Sequence, residues 1–308
     1  MRARTAVAAL GVIASGPLAT NRLTPASAKP AAAVCGNSVA LSWEPSAPRQ
    51  GSLFRIRVAG IPTGTRLAGR FAGQPLHFSA GPADSTTAES FAAVPIDSDR
   101  SLGIVLHCSA DGRSDSLMTR LEARSANNPI DHLKVAPRFA TPPDSATAER
   151  IRRESERALE VAKNAHETPR LWTDPFALPR QSRITSGFGH AREYNGTLTS
   201  RHMGTDFAGA SGAPVRAVNR GVVRVVDSFF YGGNVVYVDH GEGLTSAYLH
   251  LSHQAVAAGD TVGRGQVIGR VGATGRVTGP HLHLVVRYGD VTVDPMSLFA
   301  IAGDTSGR

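Results

Sequence analysis

The 308-residue chain is poor in cysteine, lysine and aromatic residues. Its two cysteines, Cys35 and Cys108, both precede the histidine-rich C-terminal part. That excludes from this part the cysteine-rich, four-ligand zinc site typical of structural metal. The lysines are three, Lys29, Lys134 and Lys163, so the 33 basic residues are nearly all arginine and no lysine-linked cofactor can lie beyond residue 163. Aromatic residues make up 6% and are not interleaved with runs of basic residues, which leaves nucleic-acid binding without its usual footprint. The first apolar run is short and broken by Gly16 and Pro17, too little to span a bilayer.

That run reads as an address. Met1-Arg-Ala-Arg4 is a cationic start, an apolar stretch extends from Thr5 to about Thr20, and Ala26-Ser27-Ala28 offers a cleavage site. Residues 1–28 are therefore expected to be a signal peptide, which places the protein in the periplasm or outside the cell, with no integral span after its removal. Lipidation at Cys35 is disfavoured by the bulky Val34 beside it. An even cysteine count in an oxidising compartment predicts one disulfide, Cys35–Cys108; two buried free thiols are the alternative. The formal charge is +8, and losing Arg2, Arg4 and Arg22 lowers it to about +5. A basic exported protein is attracted to an anionic envelope, although ordinary surface charge accounts for the balance equally well.

The remaining length suggests two domains. Between 35 and 124, Leu53–Val58 alternates, Arg66–Phe71 follows a Pro-Thr-Gly turn and Leu102–Leu106 precedes Cys108. Short strands between turns predict an N-terminal β-sandwich, with His77 and His107 as isolated packing or surface histidines. From 125 to 180, Pro137 and Pro142-Pro143 break the chain and Asp144-Ser-Ala-Thr opens a polar helix that Pro169 closes. This reads as a helical linker. From 181 to 300, Gly221–Val226, Asn234–His240, Leu244–His250 and His281–Val286 read as strands. Turns at Tyr231-Gly-Gly and Gly241-Glu-Gly243 imply antiparallel pairing. A second, all-β domain without helix-length periodicity is expected there, with His240 at a strand end and His253 in a loop.

Three pieces of that domain carry chemistry: His202-Met-Gly-Thr-Asp206, Tyr248-Leu-His250-Leu and His281-Leu-His283. A catalytic zinc keeps three protein ligands from His and Asp/Glu and one open position. Five candidate groups supply three ligands and two spare imidazoles, and a hydrolase needs imidazoles beside a metal-bound water. Residues two apart on a strand share a face, which pairs His281 with His283 and Tyr248 with His250. The Met-Gly-Thr between His202 and Asp206 favours a bent loop. One buried histidine is ordinarily a core residue, but two adjacent imidazoles make a poor core.

The stretch from about Ile184 to Phe299 resembles the lysostaphin-type (LytM-like) zinc metalloendopeptidases, which cut peptides of bacterial peptidoglycan. The resemblance rests on His202-x-x-x-Asp206, Gly232–Gly241, Tyr248-Leu-His-Leu251, Gly259-Asp-Thr-Val262 and Gly272–His283. It implies one Zn²⁺ held by His202, Asp206 and His283, with His250 and His281 as catalytic histidines, and a small β-sheet domain with a groove over the metal. It implies peptidoglycan peptides as substrate; a cell-envelope protein partner is left open. Gly187 and Gly189 would flank the groove or serve as turn glycines. Tyr194 is the nearest match to the family's oxyanion tyrosine, but its spacing departs. Some relatives of this type have lost metal ligands and act as activators of other hydrolases; here all five positions are kept. Gly259–Gly269 also resembles the turn-rich half of biotinyl or lipoyl carriers, which the missing lysine excludes.

Overall fold

The computed structural model describes residues 34–35, 39–81, 86–126, 128–139 and 141–303. The expected signal peptide lies outside them. The first eight strands are β1 (Ala40–Glu44), β2 (Leu53–Ala59), β3 (Arg66–Phe71), β4 (Gln74–Leu76), β5 (Ser79–Ala80), β6 (Ala88–Ala93), β7 (Ser101–Ala110) and β8 (Arg113–Glu122). They form two four-stranded sheets, β1-β2-β6-β5 and β4-β3-β7-β8. Alternation drives the layering: along β2, Phe54, Ile56 and Val58 are buried and Arg57 is exposed. Their faces close over one core with Phe71, Ile104, Leu106 and Leu121, and Cys35 is bonded to Cys108 with Cα atoms 5.3 Å apart.

The segment expected as a linker does more than connect. Strand β9 (Ile130–Leu133) pairs in parallel with a strand 61 residues further on, Ala191 opposite Ile130. A 3₁₀ turn (Pro137–Phe139) follows, then helix α1 (Ser145–Asn164). Asp144 caps α1 by accepting from the Thr147 amide at 2.7 Å, satisfying one of the amides a helix start leaves unpaired.

The remaining strands are β10 (Ile184–Ser186), β11 (Ala191–Tyr194), β12 (Thr197–Arg201), β13 (Thr205–Ala208), β14 (Pro214–Arg216), β15 (Gly221–Phe229), β16 (Gly233–Gly241), β17 (Leu244–Gln254), β18 (Thr261–Val262), β19 (Val267–Val271), β20 (His281–Tyr288) and β21 (Val291–Val293). The main sheet runs β10-β13-β20-β17-β16-β15-β18, with β21 on β20 and β19 joining β14 to β17. Strands β9, β11 and β12 form a small separate sheet. His253, expected in a loop, lies near the end of β17. The region is all-β as expected, apart from the short closing helix α2 (Pro295–Ala302), with Asp294 accepting from Met296 N at 2.9 Å as its cap.

One core cluster links the sandwich to this sheet: Leu53 and Ala93 pack with Phe207, Tyr248, Leu284, Leu298 and Phe299. Hydrogen bonds reinforce the contact, Leu53 N donating to Ser297 Oγ at 2.8 Å and Asp294 N to Gly51 O at 2.7 Å. Helix α1 covers the opposite face of the sheet, against Phe229, Val235, Tyr237 and Leu249. Among the described residues no helix is long and apolar enough to cross a membrane.

Candidate metal centre

Strand β20 alternates, sending Leu282, Leu284 and Val286 into the main core and His281 and His283 to the other face. Opposite His283 lies Asp206 on β13. His202 closes the group from the bend between β12 and β13, where Gly204 leaves no room for a side chain: a Cβ there would sit 2.6 Å from the His283 ring. The donor atoms converge: His202 Nε2 is 3.0 Å from Asp206 Oδ1 and 2.9 Å from His283 Nδ1, and His283 Nδ1 is 2.7 Å from Asp206 Oδ1. All three residues are buried.

His202 Nδ1 donates to the Gly187 carbonyl at 2.7 Å, so Nε2 turns its lone pair inward. Burial favours protonating Asp206, but its contacts with His202 and His283 outweigh it and hold the carboxyl well below the usual range. Burial likewise pulls His283 down to about 4. A carboxylate and two imidazoles meeting in a buried pocket are the donor set of a catalytic zinc. Bonds of about 2.0–2.1 Å at tetrahedral angles put ligand atoms about 3.3 Å apart, so a small outward shift of the donors accommodates the ion.

His250 and His281 stand beside the cluster. Their ring centroids are 5.0 Å apart, and His250 lies 5.7 Å from His283. Each donates Nδ1–H to a backbone carbonyl, His250 to Thr274 at 2.9 Å and His281 to Gly279 at 2.8 Å. Both Nε2 atoms are left as bases, and His281 Nε2 is 3.7 Å from Asp206 Oδ1. Burial, with the neighbouring imidazoles, takes His250 well below its ordinary value.

The expected pairing of Tyr248 with His250 is corrected. Tyr248 is fully buried in the core, its hydroxyl accepting from Val218 N at 2.8 Å. Strict alternation would send His250 the same way. Instead β17 carries a bulge: Tyr248 and Leu251 face Val236 and Asn234 on β16, so one extra residue is accommodated and His250 takes φ +65°. The bulge turns its imidazole into the site.

Two groups at the site have no counterpart in the sequence reading. Arg192 on β11 donates Nη2–H to Asp206 Oδ2 at 2.8 Å, leaving Oδ1 for the imidazoles. Asp131 on β9 accepts from Ser186 Oγ at 2.6 Å and His190 Nδ1 at 3.0 Å, and that Ser186 Oγ lies 3.0 Å from His202 Nδ1. Arg192 stood two residues from the tyrosine weighed in the sequence; nothing local marks Asp131. Gly189 adopts φ +86° beside the site. His240 is buried at the end of β16, bonded to the Arg220 carbonyl and Ser246. His77 is not isolated: it lies 2.8 Å from His166 Nδ1. Tyr194 is buried and, with Asp206 and His281, lines a groove of about 720 Å³.

Residues 200–295 match the model of Peptidase family M23. The peptidoglycan DD-endopeptidase ShyB of Vibrio cholerae is 44% identical over 117 residues, 37% of this chain and 27% of its own. Lysostaphin of Staphylococcus simulans is 37% identical over 123 residues, 38% of this chain and 25% of its own. The chain thus spans about a quarter of the length of these relatives. A solved structure from Pseudomonas aeruginosa described as a peptidase M23 matches with a TM-score of 0.64 and 25% identity, over 83% of this chain and 96% of that one. The His-Asp-His group that could hold a metal thus lies inside a segment similar to the peptidases of family M23.

Proposed function

We propose that the protein is an exported, zinc-dependent endopeptidase that hydrolyses peptide cross-links or bridges of bacterial peptidoglycan. His202, Asp206 and His283 hold the metal; His250 and His281 are the catalytic histidines. The observation that carries this reading is the pair of inward-facing Nε2 atoms, each fixed by a backbone carbonyl, beside a three-donor cluster. Zinc, when bound, supplies Lewis acidity and makes its water acidic near neutral pH. The unprotonated Nε2 of His250 or His281 receives the proton of the attacking water. The resulting imidazolium donates a hydrogen bond to the developing oxyanion and returns the proton to the leaving amine. Arg192 and the Gly187 carbonyl keep Asp206 and His202 in orientation. The names of the relatives, peptidoglycan DD-endopeptidase and lysostaphin, support a cell-wall substrate.

Zinc content and the release of new amino termini from peptidoglycan test the proposal together. His202→Ala is expected to lose zinc, whereas His250→Ala and His281→Ala keep zinc and lose hydrolysis by about 100-fold or more. Zinc loss in all three variants overturns the ligand assignment. A zinc-loaded wild-type protein that releases no amines is instead an activator of other wall hydrolases.

A further inference from the structure

Arg276 stands out among the groups lining the 720 Å³ groove. Its guanidinium lies between two tyrosine rings, 4.4 Å from the centroid of Tyr194 and 4.2 Å from that of Tyr231. Its backbone amide donates to the Tyr231 carbonyl at 2.9 Å, so side chain and main chain are both anchored. Tyr194 shares the groove with His281, while Tyr231 lines a second cavity of about 430 Å³ that reaches His283. The arginine is therefore placed between the two hollows that flank the candidate metal.

The carboxylates Asp206 and Asp131 in the groove already have partners. Asp206 is met by Arg192 at 2.8 Å, and Asp131 by Ser186 and His190. Arg276 has no carboxylate partner among the described residues, and neither has Arg183 in the same groove. A guanidinium held against two rings loses little freedom when it binds, and its fork matches a carboxylate. Two unmatched cations beside a peptidase site select a peptide that brings its own negative charge.

Resting on the endopeptidase reading above, we propose that Arg276 is a specificity residue that binds a free carboxylate of the substrate next to the scissile amide. The preferred substrate class is then an acidic, carboxylate-bearing cross-linked peptide, and neutral glycine-type bridges are poor substrates. Arg183 adds attraction at longer range without a fixed contact.

The test uses two synthetic cross-linked peptides that differ only in whether the group beside the scissile amide is a carboxylate or a carboxamide. With the zinc-loaded full-length protein, kcat/KM is expected to be about tenfold or more higher for the carboxylate, the scale of one charge-assisted hydrogen bond. The difference should reside in KM and shrink with added salt. Arg276→Met is expected to bring the two peptides to near parity, and Arg276→Lys to restore part of the preference, with zinc content and melting temperature checked in each. Equal cleavage of both peptides by the wild type, or an undiminished preference in Arg276→Met, overturns the assignment. Binding to the zinc-loaded His250→Asn variant separates the two readings. Tighter binding of the carboxylate peptide supports the role of Arg276 even if the wild type cuts neither peptide, an outcome that overturns the endopeptidase reading alone. Equal binding overturns the role of Arg276.

Discussion

His250 is held at φ +65°, where a non-glycine residue carries strain of about 1–3 kcal/mol and stays only when its surroundings impose it. Here they do: its amide donates to Gly232 O at 2.8 Å and its ring to Thr274 O at 2.9 Å. Asparagine tolerates the same conformation better than most residues but offers no imidazole. His250→Asn is therefore expected to keep stability within about 1 kcal/mol of wild type while hydrolysis drops by about 100-fold or more. Parallel melting curves and amine-release assays check both halves. The His281/His283 pair was legible because period two holds along β20. Tyr248 and His250 broke the same rule because the extra residue of a bulge does not show in the spacing.

The elements carry the site through close approaches between loops. Residues 272–276 press on the start of β16, where a Cβ on Gly233 would lie 2.4 Å from the Thr274 carbonyl carbon. Thr274 Oγ1 also accepts from Asn234 N at 2.9 Å and donates to Leu251 O at 2.9 Å. Gly233→Ala must displace that backbone, and with it the carbonyl that orients His250. We expect kcat to fall by about tenfold or more while bound zinc, measured by metal analysis, stays unchanged. The long strands and helix α1 were readable from alternation, turn glycines and the Asp144 cap. Strand β9 was not. Its four residues owe their conformation to parallel pairing with β11, a tertiary contact that local propensity does not encode.

At the scale of the whole molecule, the junction between the sandwich and the main sheet holds a stacked histidine pair. His166 lies 2.8 Å from His77 and 3.1 Å from Gln74 Oε1, and Gln74 donates to Asp290 at 2.6 Å. Burial, reinforced by the neighbouring His77 charge, lowers His166 to about 4; burial also lowers His77. Above the ordinary value of 6.5 the ring is neutral whether folded or unfolded. As pH falls from 6.5 towards 4, the unfolded chain takes the proton before the folded one, so stability is lost across that window and the loss ends below it. The melting temperature should therefore be lower at about pH 4.5 than at pH 7, and less so in His166→Gln. A slope unchanged in that variant would assign the effect to other groups, such as buried His240, also lowered to about 4 by burial. The mostly-β character of the chain was legible in the turn pattern. The core shared between the sandwich and the main sheet was not, because Leu53 and Ala93 meet Leu298 and Phe299 only after the chain has folded back on itself.

The parallel pairing of β9 with β11 has a practical consequence for anyone trimming the chain. The family match begins at residue 200, and a fragment cut at about Leu178 keeps all five histidine and aspartate positions of the site. It nevertheless discards Asp131, leaves β11 with an unsatisfied hydrogen-bonding edge and uncovers the apolar face beneath α1. Such an edge invites strand addition between molecules. The shortest excerpt that stays monodisperse should therefore begin before Ile130, so that the fragment brings its own edge protection with it.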